Sequence, residues 1–365
     1  MSGRHVERVR RTAAEAAAAG LAAVAVAPSP DLRYLAGYDP PPLERLTLLV
    51  IRPDLEPVLL VPMLERPLAL ASPLGEAAEV VGWSDGDDPY AAAARLLPAE
   101  GRVAVGDRAW ASHLLGLQRA AQGVRFASAS PVISRLRSVK DADELAALGR
   151  AGRAADETFR RICVTRFEGR PEHDVARDLE ALLVESGHRR ADFGIVASGP
   201  NGASPHHEPE GRTIRARDAV VMDFGGELGG YFSDTTRTVV VGEPPPGFAE
   251  VYDAVRSAHD AALAMIRAGV TAQDVDRAAR AVIDRAGYGE RFIHRTGHGI
   301  GLEVHEPPWI VEGNDLSLRA GMTFSVEPGI YLEGRFGVRI EDIVAVTADG
   351  VDRLNRSTRE LQVVS

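Results

Sequence analysis

The sequence has a single cysteine, Cys163, which rules out an intrachain disulfide. That leaves the redox compartment open while fitting a reducing cytoplasm, and the thiol reads as a core-packing residue. Excess positive charge is also missing: the formal net charge is −10, which removes any electrostatic reason to expect a nucleic-acid partner. No uncharged apolar run reaches the roughly 18 residues that a membrane-spanning helix needs, so no membrane partner is expected. Internal repeats and low-complexity tails are absent as well. What remains is a chain of 365 residues with 45% hydrophobic and 26% charged content, ordinary for a globular protein and long enough for two domains.

The start, MSGRHVERVRRTAAEAAAAGLAAVAVAPSP, superficially has the basic, Ala-rich and Ala-x-Ala parts of a secretory signal. Glu15 interrupts the middle and alanine is only weakly apolar. An amphipathic helix over about residues 4–19 followed by a strand, LAAVAVA, is the preferred reading. Strands and helices then alternate through LTLLVIRP, PVLLVPM, a helical region ending at AAAARLLP, RVAVGD and a further helix. The stretch from Pro131 to Lys140 reads as a linker, after which DADELAALGRAGRAADETF begins a helix capped by Asp141 or Asp143. EGRPEHDVARDLEALLVESG and VYDAVRSAHDAALAMIRAG supply further helices, and the prolines at 244–246 mark a turn from strand to helix.

Three later stretches carry chemistry: VVMDFGGELGGYFSDTTRT, HRTGHGIGLEVHEPP, and MTFSVEPGIY followed by GVRIED. If Val220–Asp223 and Ser233–Thr238 form a hairpin turning through Leu228, Gly229 and Gly230, Asp223 and Asp234 face each other directly. Like charges there are unfavourable, so either one carboxylate is protonated or a cation sits between them. The cation is favoured because more acidic and imidazole groups arrive from elsewhere. In MTFSVE, Met322, Phe324 and Val326 share one strand face, leaving Thr323, Ser325 and Glu327 on the other. In GVRIEDIVAV, Val338, Ile340 and Val344 alternate with Arg339 and Glu341, which places the guanidinium where it can orient Glu341. GHGIG surrounds His298 with glycines that let another group approach closely, and His294 and His305 crowd nearby. Asp223, Asp234, His298, Glu327 and Glu341 are thus the candidate metal ligands.

Two other patterns fail on context. The glycines at 297, 299 and 301 lack the spacing and the following acid of a dinucleotide fingerprint, and Asp223-Phe224-Gly225 has no kinase glycine loop or catalytic loop around it.

Taken together, these segments resemble the metal-dependent pita-bread peptidases: methionine aminopeptidase, aminopeptidase P and prolidase. The resemblance covers most of residues 140–365, with every ligand type in the family's order. It implies a fold of an α/β N-terminal domain over residues 1–133, creatinase-type, as DLRYLAGYD also suggests, plus an α+β pita-bread (creatinase/aminopeptidase-like) catalytic domain over residues 140–365. It implies that Asp223 holds one of two divalent metal ions, that His298 and Glu327 hold the other, and that Asp234 and Glu341 bridge them. It further implies Glu327 as general base, His305 near the scissile carbonyl, Arg339 beside the last glutamate, and a substrate-binding histidine at His206, with the adjacent His207 leaving open which of the two faces the site. The oxygen-rich donor set suits Mn²⁺, with Co²⁺ or Zn²⁺ also fitting. The expected activity is hydrolysis of the bond before proline in a small peptide, by a cytoplasmic homodimer. Dipeptidase and aminopeptidase P remain open, and a methionine aminopeptidase, a non-peptidase hydrolase or a binding role are the weaker alternatives.

Overall fold

Short apolar strands, several buried on both faces, build the N-terminal part of the chain. The computed structural model describes residues 2–365, which divide into one unit ending at Arg137 and a second, Ser138–Ser365. The first begins with helix α1 (Ser2–Ala18), then β1 (Ala23–Val26), α2 (Pro30–Ala36), β2 (Leu48–Ile51), β3 (Val58–Pro62), α3 (Arg66–Leu70), β4 (Glu79–Trp83), α4 (Pro89–Leu96), β5 (Gly101–Val105), α5 (Ala111–Ala120), β6 (Val124–Ser128) and α6 (Ser130–Arg137). The strands form one mixed sheet in the order β4-β3-β2-β1-β5-β6. β1 and β2 are buried at every position, the pattern of strands covered by helices on both sides.

Two expectations are corrected here. The region before AAAARLLP, read as helical, contains β4, which pairs in parallel with β3; Gly82 weakens its strand pattern, and only that pairing defines it. The stretch read as a linker is mostly α6, because Val132, Ile133 and Leu136 fall on one helical face and are buried.

The second unit runs α7 (Ala142–Ile162), α8 (Glu172–Glu185), β7 (Arg190–Ser198), β8 (Ala219–Leu228), β9 (Tyr231–Val241), α9 (Phe248–Met265), α10 (Ala272–Arg285), β10 (Gly297–Gly299), β11 (Glu306–Ile310), β12 (Thr323–Val326), β13 (Gly329–Leu332), β14 (Phe336–Arg339), β15 (Asp342–Val346), β16 (Val351–Arg353) and β17 (Gln362–Val364). A capping box starts α7: the Asp141 carboxylate accepts from the Glu144 amide and the Glu144 carboxylate from the Asp141 amide, each at 2.9 Å. The sheets are ordered β17-β9-β8-β7 and β11-β10-β12-β15-β16, with β13-β14 as a separate hairpin. Along β8, Val220, Met222 and Phe224 pack with Phe159 of α7 and Leu179 of α8, so Val221, Asp223 and Gly225 take the opposite face. Phe324, Val326, Val338 and Val344 pack with α9 and α10 in a second core. Cys163 packs at the edge of the α7–α8 core, where burial pushes its thiol up to about 12.

Arg237 of β9 ties the C-terminal strands to this framework. Fully buried, its guanidinium donates to the Asp342 carboxylate at 2.6 Å and to the carbonyls of Glu341, Ser357 and Thr358 at 2.5, 2.8 and 2.9 Å. His259 of α9 lies 3.5 Å from the same carboxylate, and its Nδ1 accepts from Arg359 at 3.1 Å. Burial lowers the His259 pKa from 6.5 to about 4. A base depressed in the folded state stabilises fully above its unfolded pKa, and that contribution disappears as the pH falls from about 6.5 toward about 4. The melting temperature is expected to fall across that window, and to fall less steeply in a His259→Gln variant; parallel slopes for the two proteins would remove His259 as a cause.

Candidate metal centre

Two aspartates enter the centre from one hairpin. β8 and β9 close through Gly229 and Gly230, both at positive φ (62° and 93°), so Leu228 pairs with Tyr231. The register sets Asp223 opposite Thr236 and Gly225 opposite Asp234. The aspartates are therefore diagonal neighbours and not the directly opposed pair expected; the turn through Gly229 and Gly230 sets Thr236, two residues beyond Asp234, opposite Asp223. An even shift preserves parity, so both carboxylates keep the same face.

The second sheet supplies the rest. His298 sits in β10 between Gly297 and Gly299, where an added Cβ would lie 1.8 Å from the Ser325 carbonyl and 2.3 Å from that of Pro307. Glycine is required there by close backbone approach, as the GHGIG pattern suggests. Glu327 directly follows β12, its amide donating to the Thr296 carbonyl at 2.8 Å. Glu341 directly precedes β15, its amide donating to the Thr236 carbonyl at 3.0 Å. Donor atoms of Asp223, Asp234 and Glu341 converge within 4.8 Å of one another, as do those of His298, Glu327 and Glu341. Asp234 also groups with His298 and His305, so Glu341 and Asp234 each belong to more than one trio.

Without a cation this arrangement is repulsive. His298 Nδ1 lies 3.1 Å from the Gly299 carbonyl, which can only accept, so the proton is on Nδ1 and the bare Nε2 faces the centre. That lone pair is 3.3 Å from Glu327 Oε1 and 3.6 Å from Asp234 Oδ2. Burial, then the neighbouring His305, pushes the His298 pKa down to about 3. Burial raises Glu327 to about 7, and burial together with neighbouring carboxylates pushes Asp234 and Glu341 well up. Asp223 Oδ1 and Glu341 Oε1 are buried with no hydrogen-bond partner among the described residues. Two orphaned carboxylate oxygens and an unprotonated imidazole nitrogen, all aimed at one space, fit divalent cations.

Arg339 plays a different part from the one its strand position suggests. Its Nη2 donates to Asp223 Oδ2 at 2.6 Å, and its Nε donates to Thr236 Oγ1 at 3.0 Å. Thr236 in turn donates to Glu341 Oε2 at 2.6 Å. Arg339 thus touches Asp223 directly and reaches Glu341 only through Thr236. Its Nη1 donates to the Tyr331 hydroxyl at 2.9 Å. The hydroxyl donates to His294 Nε2 at 2.8 Å, since His294 Nδ1 donates to the Arg295 carbonyl.

The centre forms the floor of a cavity of about 670 Å³ whose walls include Phe193, Ile195, Pro205, His206, Val304 and His305. His206 faces this cavity, whereas His207 turns away and its Nε2 meets Glu172 at 3.0 Å. Glu172, fully buried at the start of α8, also accepts from the Ser198 amide and hydroxyl at 2.6 Å and from Asn201 at 3.0 Å. It pins both ends of the loop that presents His206. The His305 and His298 rings are 4.0 Å apart, centre to centre, and cross nearly at right angles. Behind His305, the chain's sole lysine, Lys140, is buried against Glu306 at 2.7 Å. Thr236, Tyr331 and Glu172 escaped sequence reasoning. Thr236 was recoverable, since it shares strand parity with Asp234, but nothing local marks Glu172.

The family model for metallopeptidase family M24 matches residues 146–348, and that for the creatinase/prolidase N-terminal domain matches residues 8–139. A probable dipeptidase PepE of Mycobacterium tuberculosis is 47% identical over 99% of this chain and 96% of its own. An Xaa-Pro dipeptidase of Lactobacillus delbrueckii subsp. lactis is 38% identical over 93% of this chain and 95% of its own. Among solved structures, a prolidase from Thermococcus sibiricus superposes with a TM-score of 0.91 at 39% identity, covering 98% of each chain.

The electrostatics yield a test. Adding a divalent cation at about 100 times its Kd to chelator-treated protein is expected to stabilise the fold by roughly 2.7 kcal/mol. Asp234→Asn should lose most of that gain while its metal-free form melts no lower than metal-free wild type, because a repulsive charge has gone. A metal-free variant much less stable than metal-free wild type would show that these carboxylates do not repel.

Proposed function

The chain belongs to metallopeptidase family M24, a creatinase-type domain preceding a pita-bread catalytic domain, and from that premise we propose that this peptidase is an Xaa-Pro dipeptidase working with two divalent cations. Asp223 would hold one, His298 and Glu327 the other, with Asp234 and Glu341 shared. The observation that carries the reading is the pair of orphaned oxygens on Asp223 and Glu341, buried beneath a cavity of peptide size. Bound there, divalent cations supply Lewis acidity that polarises a carbonyl and makes water acidic enough to attack at neutral pH. The carboxylate-rich donor set favours Mn²⁺.

The chain's own residues do the remaining work. Glu327, held at Oε1 by the Ser325 hydroxyl at 3.1 Å, takes a proton from the attacking water and returns it to the departing proline nitrogen. His305, stacked edge-on against His298 at the cavity side, donates to the oxygen where negative charge develops. Arg339 and Thr236 fix Asp223 and Glu341 so that neither swings away. His206 positions substrate, and Phe193, Ile195 and Val304 offer the apolar surface a pyrrolidine ring packs against.

Two coarser properties complete the proposal. No helix among the described residues is long and apolar enough to cross a membrane, and with one free cysteine this supports a cytoplasmic location. Exposed Met63, Leu64 and Leu68 on the N-terminal unit support a homodimer.

Protein stripped of metal and reloaded with Mn²⁺ is expected to release proline from an Xaa-Pro dipeptide; failure to do so at any metal loading would remove the activity. Glu327→Ala should lower kcat by roughly 10²–10⁴-fold, and near wild-type turnover in a metal-loaded variant would exclude it as the base. Glu172→Gln should keep its metal yet raise KM about tenfold, roughly 1.4 kcal/mol of lost positioning; an unchanged KM would show that the His206 loop does not need this clamp.

A further inference from the structure

A second recess in the catalytic unit, of about 500 Å³, shares no residue with the metal cavity. Arg150 and Arg153 reach it from α7, and Arg353 and Arg356 from the segment that ends β16 and runs on past it. Arg353 is committed, since its Nε meets the buried Asp342 carboxylate at 2.7 Å. The other three are exposed. Arg356 has only the Arg353 carbonyl at 3.4 Å, and Arg150 and Arg153 have no hydrogen bond or ion pair among the described residues. Arg153 folds back along its helix, so that a Cβ on Gly149 would lie 3.3 Å from its Nη1. The acids of α7 that could neutralise these cations are used elsewhere. Asp156 accepts from the Arg356 and Ser357 amides at 2.7 and 2.6 Å and from the Ser357 hydroxyl at 2.6 Å, and Glu157 pairs with Arg160. Asp352 is the one carboxylate that lines the recess among the described residues. In a chain of net charge −10, three free guanidiniums gathered around one carboxylate reverse the local sign.

The recess is fixed from behind. A Cβ on Gly152 would lie 2.4 Å from the Leu354 carbonyl, so glycine lets the arginine-bearing segment rest directly on α7. The Leu354 amide donates to the Ile343 carbonyl at 2.8 Å. Asn355, fully buried, accepts from the Ile343 amide at 2.7 Å and donates to Thr235 Oγ1 at 3.0 Å. Thr235 follows Asp234 in β9, and Asp342, the partner of Arg353, follows Glu341. The wall of the recess is thus hydrogen-bonded to the strands that carry two of the candidate metal ligands.

We propose that this recess binds a small phosphate-bearing polyanion, and that its occupancy steadies the strands carrying Asp234 and Glu341. Its volume falls in the range of small-molecule sites, roughly 300–1,000 Å³. Guanidinium forks match phosphate oxygens in pairs and stay charged at every working pH. A molecule with two phosphate groups meets Arg150 and Arg153 on one side and Arg356 on the other, which links α7 to the segment that Asn355 and Arg353 tie to β9 and β15. Because these walls are already held in place, little ordering is lost on binding.

The test titrates a hexose bisphosphate, a weak chelator, into the full-length, Mn²⁺-loaded enzyme by calorimetry. Saturable binding is expected, and an Arg150→Gln/Arg153→Gln variant should bind roughly tenfold more weakly with unchanged melting temperature and unchanged basal proline release. Asp352→Asn should bind severalfold more tightly, a gain that loss of structure would not produce. Loss of Mn²⁺ from the wild-type enzyme into excess chelator should slow severalfold when the bisphosphate is present, and should not slow in the double variant. Absence of binding, or binding that the double variant retains in full, overturns the site; an unchanged rate of Mn²⁺ loss overturns its link to the metal centre. A hexaglutamate peptide that binds more tightly than the bisphosphate overturns the small-molecule assignment in favour of an acidic protein partner.

Discussion

Buried like charge is the constraint on which the catalytic unit is built. Asp223, Asp234, Glu327 and Glu341 converge with a bare imidazole nitrogen where water is largely excluded, an arrangement that opposes folding until cations enter it. Much of the surrounding framework resists that repulsion. Arg237 and Arg339, both buried, hold the backbone of Glu341 and the carboxylate of Asp223 in place. Thr236 sits between the two, donating to one carboxylate while accepting from the arginine that binds the other. A single β-hairpin thus carries ligands and their supports on alternate residues.

The same logic extends outward. His294, Tyr331 and Arg339 form a chain of hydrogen bonds that ends on Asp223, and Glu172 gathers donors from both ends of the loop bearing His206. The buried charges of these networks either have dedicated partners or converge on the candidate metal centre.

The five candidate ligands, whose donor atoms the fold brings together, were marked in the sequence largely by strand parity, a local property. Thr323, Ser325 and Glu327 declare a common face by alternation alone, Asp223 and Asp234 share one only once the turn sets the parity, and glycines flanking His298 announce close approach. Register was less legible: where the turn closes depends on backbone dihedrals that composition does not reveal, and direct opposition of Asp223 and Asp234 misplaced the pairing by two residues. Strands such as β4 and β6 exist by pairing with partners far along the chain, so their local patterns are weak. Glu172 lies more than 25 residues from most of the groups it binds, and long-range polar networks of this kind leave no periodic trace.

The central claim is that the carboxylate cluster is shaped for two cations that share Asp234 and Glu341. Metal stoichiometry of the folded, Mn²⁺-loaded chain, determined by mass spectrometry of the metal alongside protein concentration, tests it most directly. Two equivalents per chain are predicted; a stably folded chain that retains one equivalent or none after exhaustive loading would contradict the account.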